Sequence, residues 1–592
     1  MTGIVRDVRA GSIRVWVWGS VVLLCLLAVA FGWLGTRVAT AAEGLSEVAG
    51  AVPALSAAAQ FGDLPGLERE LSRVHADTRA AAQAVADPFW AVAEAMPVFG
   101  DDFAAVASVA GSGDAVVSQM APLARIAMSL GRPAGDDAMI DVAALAAAHA
   151  PISRAAEALA AARADLAGID TTTLLQPIAR GVIALRDAVD AGDPVMSALA
   201  DATVVLPGIL GADGPRTVLV MIQNNAEPRT GGGVTGSFAL LTADGGRLAL
   251  AEQADSSEFI PVNAPVLDVP APASRLYGDA IGRYVQNVSM STDFALTAAL
   301  ASHWWQQRGG TAPDAVMSID PIVVQALLGV TGPVPLTDGS SLTADNLVQR
   351  LLVEPYLTMK EDEQTVFLQS ATEAFFQHVI TGGIDAMGWT RSLAEPLAAG
   401  RVSLWSAHAA EQEVLAGTAL AGPAARQQAA GDDAFAVYFN DATGGKMGSF
   451  LHVDIATGVA VCRADGRPEV EVQLTMRSSA PPDAAQVLPI SISGGGMWGT
   501  PWGDIATNVS VAAPSGWFIG TVRRDGEPEP AVDAVEGGFP TSLARMNLSP
   551  GDVSTLAFRF IAPEPREVSP SVLHTPMLHE PQVTAGLAVE CG

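Results

Sequence analysis

Sixteen residues, Gln223 to Phe238 (QNNAEPRTGGGVTGSF), constrain this chain most. They set two asparagines, a glutamate, an arginine and four glycines between two apolar runs. Ahead of them lies Arg216 to Ile222 (RTVLVMI), a β-branched run that reads as a buried strand. Behind them, Ser237 to Thr242 (SFALLT) and Arg247 to Ala251 (RLALA) flank Ala-Asp-Gly-Gly and read as a hairpin with an Asp-Gly turn. A polar, glycine-rich loop between buried strands is a natural place for a binding or catalytic site. Gly231, Gly233 and Gly236 formally spell G-x-G-x-x-G, with Asp255 near the spacing of a ribose-binding acid. A dinucleotide site needs a helix next, to hold the pyrophosphate at its N-terminus. A strand-like run follows instead, so the glycines read as positions of positive φ or close backbone approach.

The chain has 592 residues, more than one ordinary domain, and a net charge of −30. That charge speaks against nucleic acid or an anionic membrane surface as the main partner. Val15 to Leu34 (VWVWGSVVLLCLLAVAFGWL) is uncharged and long enough to span a bilayer. Arg6, Arg9 and Arg14 precede it, which keeps the N-terminus in the cytoplasm and places the rest outside. Ala39-Thr40-Ala41 offers the rival reading of a cleaved signal peptide, but the apolar run exceeds the usual ~7–15 residues of such a segment.

Five regions follow from texture: a cytoplasmic tail and anchor (1–38), an Ala-rich helical stalk or bundle (39–205), an α/β core domain (206–418), a linker (419–432) and a β-sandwich (433–592). The expected fold class is therefore an α/β core, a mixed sheet covered by helices. A single transmembrane helix and the stalk precede it, and a C-terminal β-sandwich follows. In the stalk, Asp101-Asp102 and Asp136-Asp137 sit at helix starts, where acids suit the dipole. In the core, Ser291 to Gln307 reads as a helix capped by Ser291 or Thr292, Ala315 to Ile319 as a buried strand, and Asp320-Pro321 as the start of another helix. In the sandwich, Ser493 to Asp504 (SGGGMWGTPWGD) carries Trp498 and Trp502, which either stack on sugar rings or fold back on the sandwich edge. Cys462 and Cys591 suit one extracytoplasmic disulfide, with two free buried thiols as the alternative; Cys25 falls in the apolar run.

Zinc patterns, a P-loop and a G-x-S-x-G elbow are missing from the sequence, so no metal, cofactor or catalytic residue is assigned. Arg229 is the best single candidate, because a guanidinium in such a loop suits capture of phosphate or carboxylate. Its alternative is a buried ion pair with Glu227. Asn224, Asn225, Glu227 and Arg229 are expected to form one hydrogen-bond network, with Gly231, Gly232 and Gly233 bringing the backbone close.

QNNAEPRTGGGVTGSF and the preceding Leu206 to Gly211 (LPGILG) resemble the domain of unknown function 4012 family. The likeness continues through STDF (Ser291 to Phe294), SIDPIVVQALLGVTGPVPL (Ser318 to Leu336), RVSLWSAH (Arg401 to His408) and FNDATGGKM (Phe439 to Met447). The resemblance implies an actinobacterial, membrane-anchored protein of the cell envelope. A weaker resemblance is to the LytR-CpsA-Psr family, in a strand, helix and turn over Ser318 to Leu336 and in a helix within Leu342 to Leu368. That family implies transfer of glycopolymers from polyprenyl diphosphate carriers. Here Glu363-Gln364-Thr365 replaces the arginines expected to hold diphosphate, with Lys360 nearby. Such chemistry would rest on Arg229 together with Arg275 or Arg283, with Asp293 or Asp320 binding a cation or acting as base. The leading expectation is a non-catalytic extracytoplasmic scaffold or binding protein. Its partners are the membrane, through one span, and a cell-wall polymer or another envelope protein; a phosphotransferase is the alternative.

Overall fold

The computed structural model describes residues 33, 35–41, 51, 63–130, 140–382 and 386–591. Apart from Trp33, the expected membrane span over 15–34 lies outside them, as does Asp136-Asp137. Among the described residues no helix is long and apolar enough to cross a membrane. The chain divides into two compact units. Of the described residues, those within 1–132 and 144–203 make up one, and those within 133–143 and 204–592 the other.

The first unit is helical among its described residues. Its core draws on Ala105, Val109 and Val116 from helix Gly100–Met120, Ile152, Ala155, Leu159, Ala162 and Leu166 from Val142–Ala167, and Val182, Val189 and Met196 from Gln176–Ile209. Spacings of three, four and seven put each set on one helix face, and the many alanines let neighbouring helices lie close. Asp102 stands in a first turn as expected, and its Oδ1 also accepts the Leu175 amide at 2.8 Å.

The second unit begins with a mixed sheet. Its strands are β1 (Arg216–Arg229), β2 (Gly232–Asp244), β3 (Arg247–Asp255) and β4 (Ala315–Ile319), then the short ladder of β5 (Val334–Pro335) with β6 (Ser341–Leu342), and β7 (Ser403–Ser406). The main order is β3-β2-β1-β4-β7, with β1 and β4 parallel and the other pairs antiparallel. Side chains of β1 alternate across it. Val218 and Val220 enter a core with helices Pro321–Thr331 and Glu361–Gly382, while Leu219 and Met221 enter another with helix Phe294–Gln307. Helices thus cover both faces, which is why RTVLVMI is continuously apolar.

The glycine-rich stretch corrects the loop expectation. β1 continues through the polar residues to Arg229, Thr230 and Gly231 make the turn, and β2 starts at Gly232. Two register shifts, between Ile222 and Gln223 and between Asn224 and Pro228, mark bulges that re-aim the side chains. Backbone pairing across the hairpin and buried polar partners override the low strand propensity of Asn, Pro and Gly.

Two further sheets come from β8 (Ala434–Asp441), β9 (Leu451–Ala460), β10 (Glu469–Ser478), β11 (Ile505–Ala512), β12 (Phe518–Arg524), β13 (Glu527–Pro528), β14 (Val532–Glu536), β15 (Phe539–Leu548), β16 (Val553–Ile561), β17 (Ser571–His574) and β18 (Gln582–Ala585). Their orders are β13-β12-β16-β10-β9-β18 and β14-β15-β11-β8-β17. Phe435, Phe439 and Val509 of one share a core with Ile455, Val472 and Phe558 of the other, a sandwich packing. The stretch 419–432, expected as a linker, instead holds a short 3-10 turn and helix Pro423–Ala429. Its buried Gln427 donates to the Ala434 and Ala512 carbonyls, both at 3.0 Å, so it is fastened to the β8 sheet. Cys462 and Cys591 are disulfide-bonded, with Cα atoms 5.2 Å apart.

Candidate functional site

The far end of the β1–β2 hairpin carries the polar residues, and each reaches for a different partner. Asn224 Oδ1 accepts the Ala226 amide at 3.0 Å. Asn225 Nδ2 donates to Asp320 Oδ2 and to the Pro576 carbonyl, both at 3.0 Å. Glu227 Oε1 accepts from Lys446 Nζ at 2.8 Å. Arg229 holds Asn287 Oδ1 through Nε at 3.2 Å and Nη2 at 2.9 Å, and its Nη1 donates to the carbonyls of Pro228 and Asp441 at 3.0 and 3.1 Å. The expected single network is therefore divided: Asn224 and Glu227 meet through Tyr356 and Lys446, while Asn225 and Arg229 hold other partners. Neighbouring residues of an extended chain point to opposite faces, and the bulge turns them further apart. Glu227 pairs with Lys446, so the expected ion pair with Arg229 is replaced. The glycines do bring the backbone close, because a Cβ on Gly233 would lie 2.3 Å from the Asn224 carbonyl oxygen.

This hairpin end forms one wall of a groove of about 1280 Å³. Tyr284 and Asn287 extend the wall, and Tyr356 and Lys360 come from the segment around helix Glu354–Thr358. Asp441 and Lys446, Trp498, and the strand residues Asn508 and Arg545 come from the sandwich. The Lys446 ammonium sits 4.1 Å from the Tyr356 ring centre as well as on Glu227. Burial works against its charge, but Glu227 and Tyr356 outweigh it and hold its pKa above the ordinary lysine value. Asp441 moves the other way: burial pushes its carboxyl up to about 6, although Arg229 opposes the shift. Its oxygens accept the Thr443 and Gly444 amides at 3.2 and 2.8 Å. On that turn, a Cβ on Gly444 (φ +75°) would fall 2.2 Å from Trp498 Cδ1, so only glycine lets the indole lie there. Trp498 is 54% exposed and meets Tyr284 edge-on, with ring centres 6.0 Å apart. The groove thus offers an exposed aromatic face, amide groups, a Glu227–Lys446 pair that compensates itself, and a buried Asp441 carboxyl held by backbone amides.

Residues 213–356 match the family model described as Protein of unknown function (DUF4012). Over that segment the chain is similar to the DUF4012 family. No curated protein matches the chain, and no solved structure does. The DUF4012 segment supplies the hairpin, Tyr284, Asn287 and Tyr356, while Asp441, Lys446, Trp498 and Arg545 lie beyond it.

The other candidates within the DUF4012 segment do not converge on the groove. Asp293 caps helix Phe294–Gln307 by accepting the Ala295 and Leu296 amides at 2.9 and 3.3 Å. Asp320 caps Pro321–Thr331 in the same way and also pairs with the buried Arg401. Arg401 in turn holds Glu580 and the Met577 carbonyl, the latter at 3.0 Å. Arg275 is exposed, Arg283 donates to the Val262 carbonyl at 3.0 Å, and neither lines the groove. Neither Arg275 nor Arg283 thus joins Arg229 in one diphosphate-binding pocket. Gly231 and Gly232 stay structural: the Gly231 amide donates to the Ser289 carbonyl at 3.0 Å, and Gly232 takes φ +133°. Among the described residues, no group of three or more His, Cys, Asp or Glu could hold a metal ion. Asp441, Lys446, Arg401, Tyr356, Asn287, Asn508 and Arg545 are not among the candidates expected from the sequence. Of these, Arg401 lies within RVSLWSAH, and Asp441 and Lys446 lie within FNDATGGKM, so those polar stretches were the available signal.

Proposed function

We propose that the protein is a membrane-anchored, extracytoplasmic binding protein whose groove holds a cell-wall polymer or a segment of an envelope partner without turning it over. The observation that carries this reading is the state of the charges in the groove. Glu227 and Lys446 neutralise each other at 2.8 Å, and Arg229 is committed to Asn287 and two carbonyls, so none of the three is free to move a proton or cradle a leaving group. What stays open is a surface for recognition: a large concavity with an exposed indole and half-buried amides. The disulfide suits an oxidising compartment, and the uncharged run over 15–34 supplies an anchor. The test uses the full chain in detergent, mixed with isolated Gram-positive cell walls and sedimented. Retention on the walls is expected, and its loss would remove the binding reading. Turnover of a lipid-linked wall precursor by the same preparation would overturn the non-catalytic part.

A further inference from the structure

The sandwich side of the groove carries a cation that has no carboxylate partner among the described residues. Arg545 donates from Nε to Asn547 Oδ1 at 3.1 Å and from Nη2 to Thr500 Oγ1 at 2.9 Å, both neutral oxygens. Among the described residues no carboxylate lies within ion-pair distance of it, in a chain whose net charge is −30. Acids are therefore plentiful, yet this guanidinium faces the groove half-buried and uncompensated. Its support is tied to the aromatic lip. Thr500 Oγ1 donates to the Ala442 carbonyl at 3.1 Å, in the turn whose Gly444 carries the Trp498 indole. Asn508, half-buried, stands directly across from Arg545 in the pairing of β11 with β15 and lines the same groove. Lys360, exposed and free of any ion pair among the described residues, lines it too.

An open aromatic face takes the apolar side of a pyranose, an amide matches ring hydroxyls, and a planar guanidinium takes an acid group two bonds at a time. We propose that Trp498, Asn508 and Arg545 form a subsite for an acidic sugar residue, one bearing a carboxylate or a phosphate. This rests on the reading of the groove as a polymer-binding site and names the chemistry of the polymer. Trp498 supplies stacking, which is indifferent to charge, and Arg545 supplies the preference for the anion.

Isothermal titration of the full chain in detergent at low salt tests this with two probes. One is a hyaluronan octasaccharide, alternating glucuronate with N-acetylglucosamine. The other is a chitin hexasaccharide, which has the same acetylated sugar and no acid. The hyaluronan probe is expected to bind at least tenfold tighter than chitin. R545Q should erase that preference while leaving chitin affinity within twofold, and R545K should restore part of it. W498A should weaken both probes about tenfold or more without moving the melting midpoint, as befits an exposed side chain. Competition with free glucuronate or glucose 6-phosphate separates the two acids, the stronger competitor naming the group recognised. Equal affinity for the two probes, a preference that survives R545Q, or insensitivity to W498A would each overturn the subsite. If neither probe binds while cell walls still retain the protein, the acidic-sugar assignment falls and the binding reading stands. If the walls fail to retain it as well, both fall.

Discussion

Replacing Arg229 by alanine is expected to destabilise the second unit whatever ligand is present. The side chain is 6% exposed, and it serves two acceptors from distant parts of the chain, Asn287 Oδ1 and the Asp441 carbonyl. Alanine leaves both without their donor, and each orphaned acceptor costs about 1–3 kcal/mol. Because the groove lets water reach the vacated space, the lower part of that range applies, and the loss should total about 2–4 kcal/mol. A charge effect adds to it. Arg229 opposes the burial that already raises the Asp441 carboxyl to about 6, so its removal lifts that pKa further and makes ionised Asp441 costlier above pH 6. A chain of two units does not unfold in a single step, so the quantity to compare is the midpoint of the transition that reports the second unit. Thermal unfolding followed by tryptophan fluorescence at pH 5 and pH 8 gives it. At about 2 °C per kcal/mol for a large unit, the midpoint should fall by roughly 4–8 °C, more at pH 8 than at pH 5. R229K, which keeps the charge but not the planar fork, should lose about half as much. A midpoint within about 1 °C of the parent, together with lost retention on cell walls, would refute the structural role and make Arg229 a ligand-binding residue.

Other outcomes follow from the same geometry. Asp441 titrates at about 6 in the folded state against 3.8 for the free group, so its stability contribution is full below about pH 4 and is lost as the pH rises through 6. The loss is on the order of 3 kcal/mol, and D441N should flatten that part of a pH–stability profile; an unchanged slope would contradict the burial argument. R401A leaves Asp320 buried without its cation and should cost about 3–5 kcal/mol in urea unfolding, whereas a midpoint close to the parent's would show that water replaces the guanidinium. C462S removes a bridge across 129 residues, worth about 5 kcal/mol in the chain-entropy model, and should lower the unfolding midpoint as reductant does in the parent; equal midpoints would refute it. In intact cells, a cysteine placed at an exposed site near the C-terminus should react with an impermeant reagent, and its protection would reverse the topology.

Local physics made much of this chain legible. The β-branched run at 216–222 is a strand because its residues meet a helix-covered core on both faces, and the Asp-Gly-Gly turn closes the β2–β3 hairpin. Asp293 and Asp320 announce helix starts through their own side chains, although the cap fell on Asp293 where Ser291 or Thr292 was expected. The two C-terminal cysteines paired, as expected of the two alternatives. The glycine-rich stretch is where local reading failed. Asn, Pro and Gly are poor strand formers, yet the chain stays extended to Arg229, because its partners sit on other elements: Asn225 meets Pro576 across 351 residues, and Glu227 meets Lys446 across 219. Nothing near Glu227 distinguishes Lys446 from Arg229 as its partner, since a charge carries no address. That choice was made by how β8 and the turn after it lie against the hairpin, so the sequence determined the strands, caps and bridge, and tertiary packing decided which buried charges compensate one another and which faces the groove uncompensated.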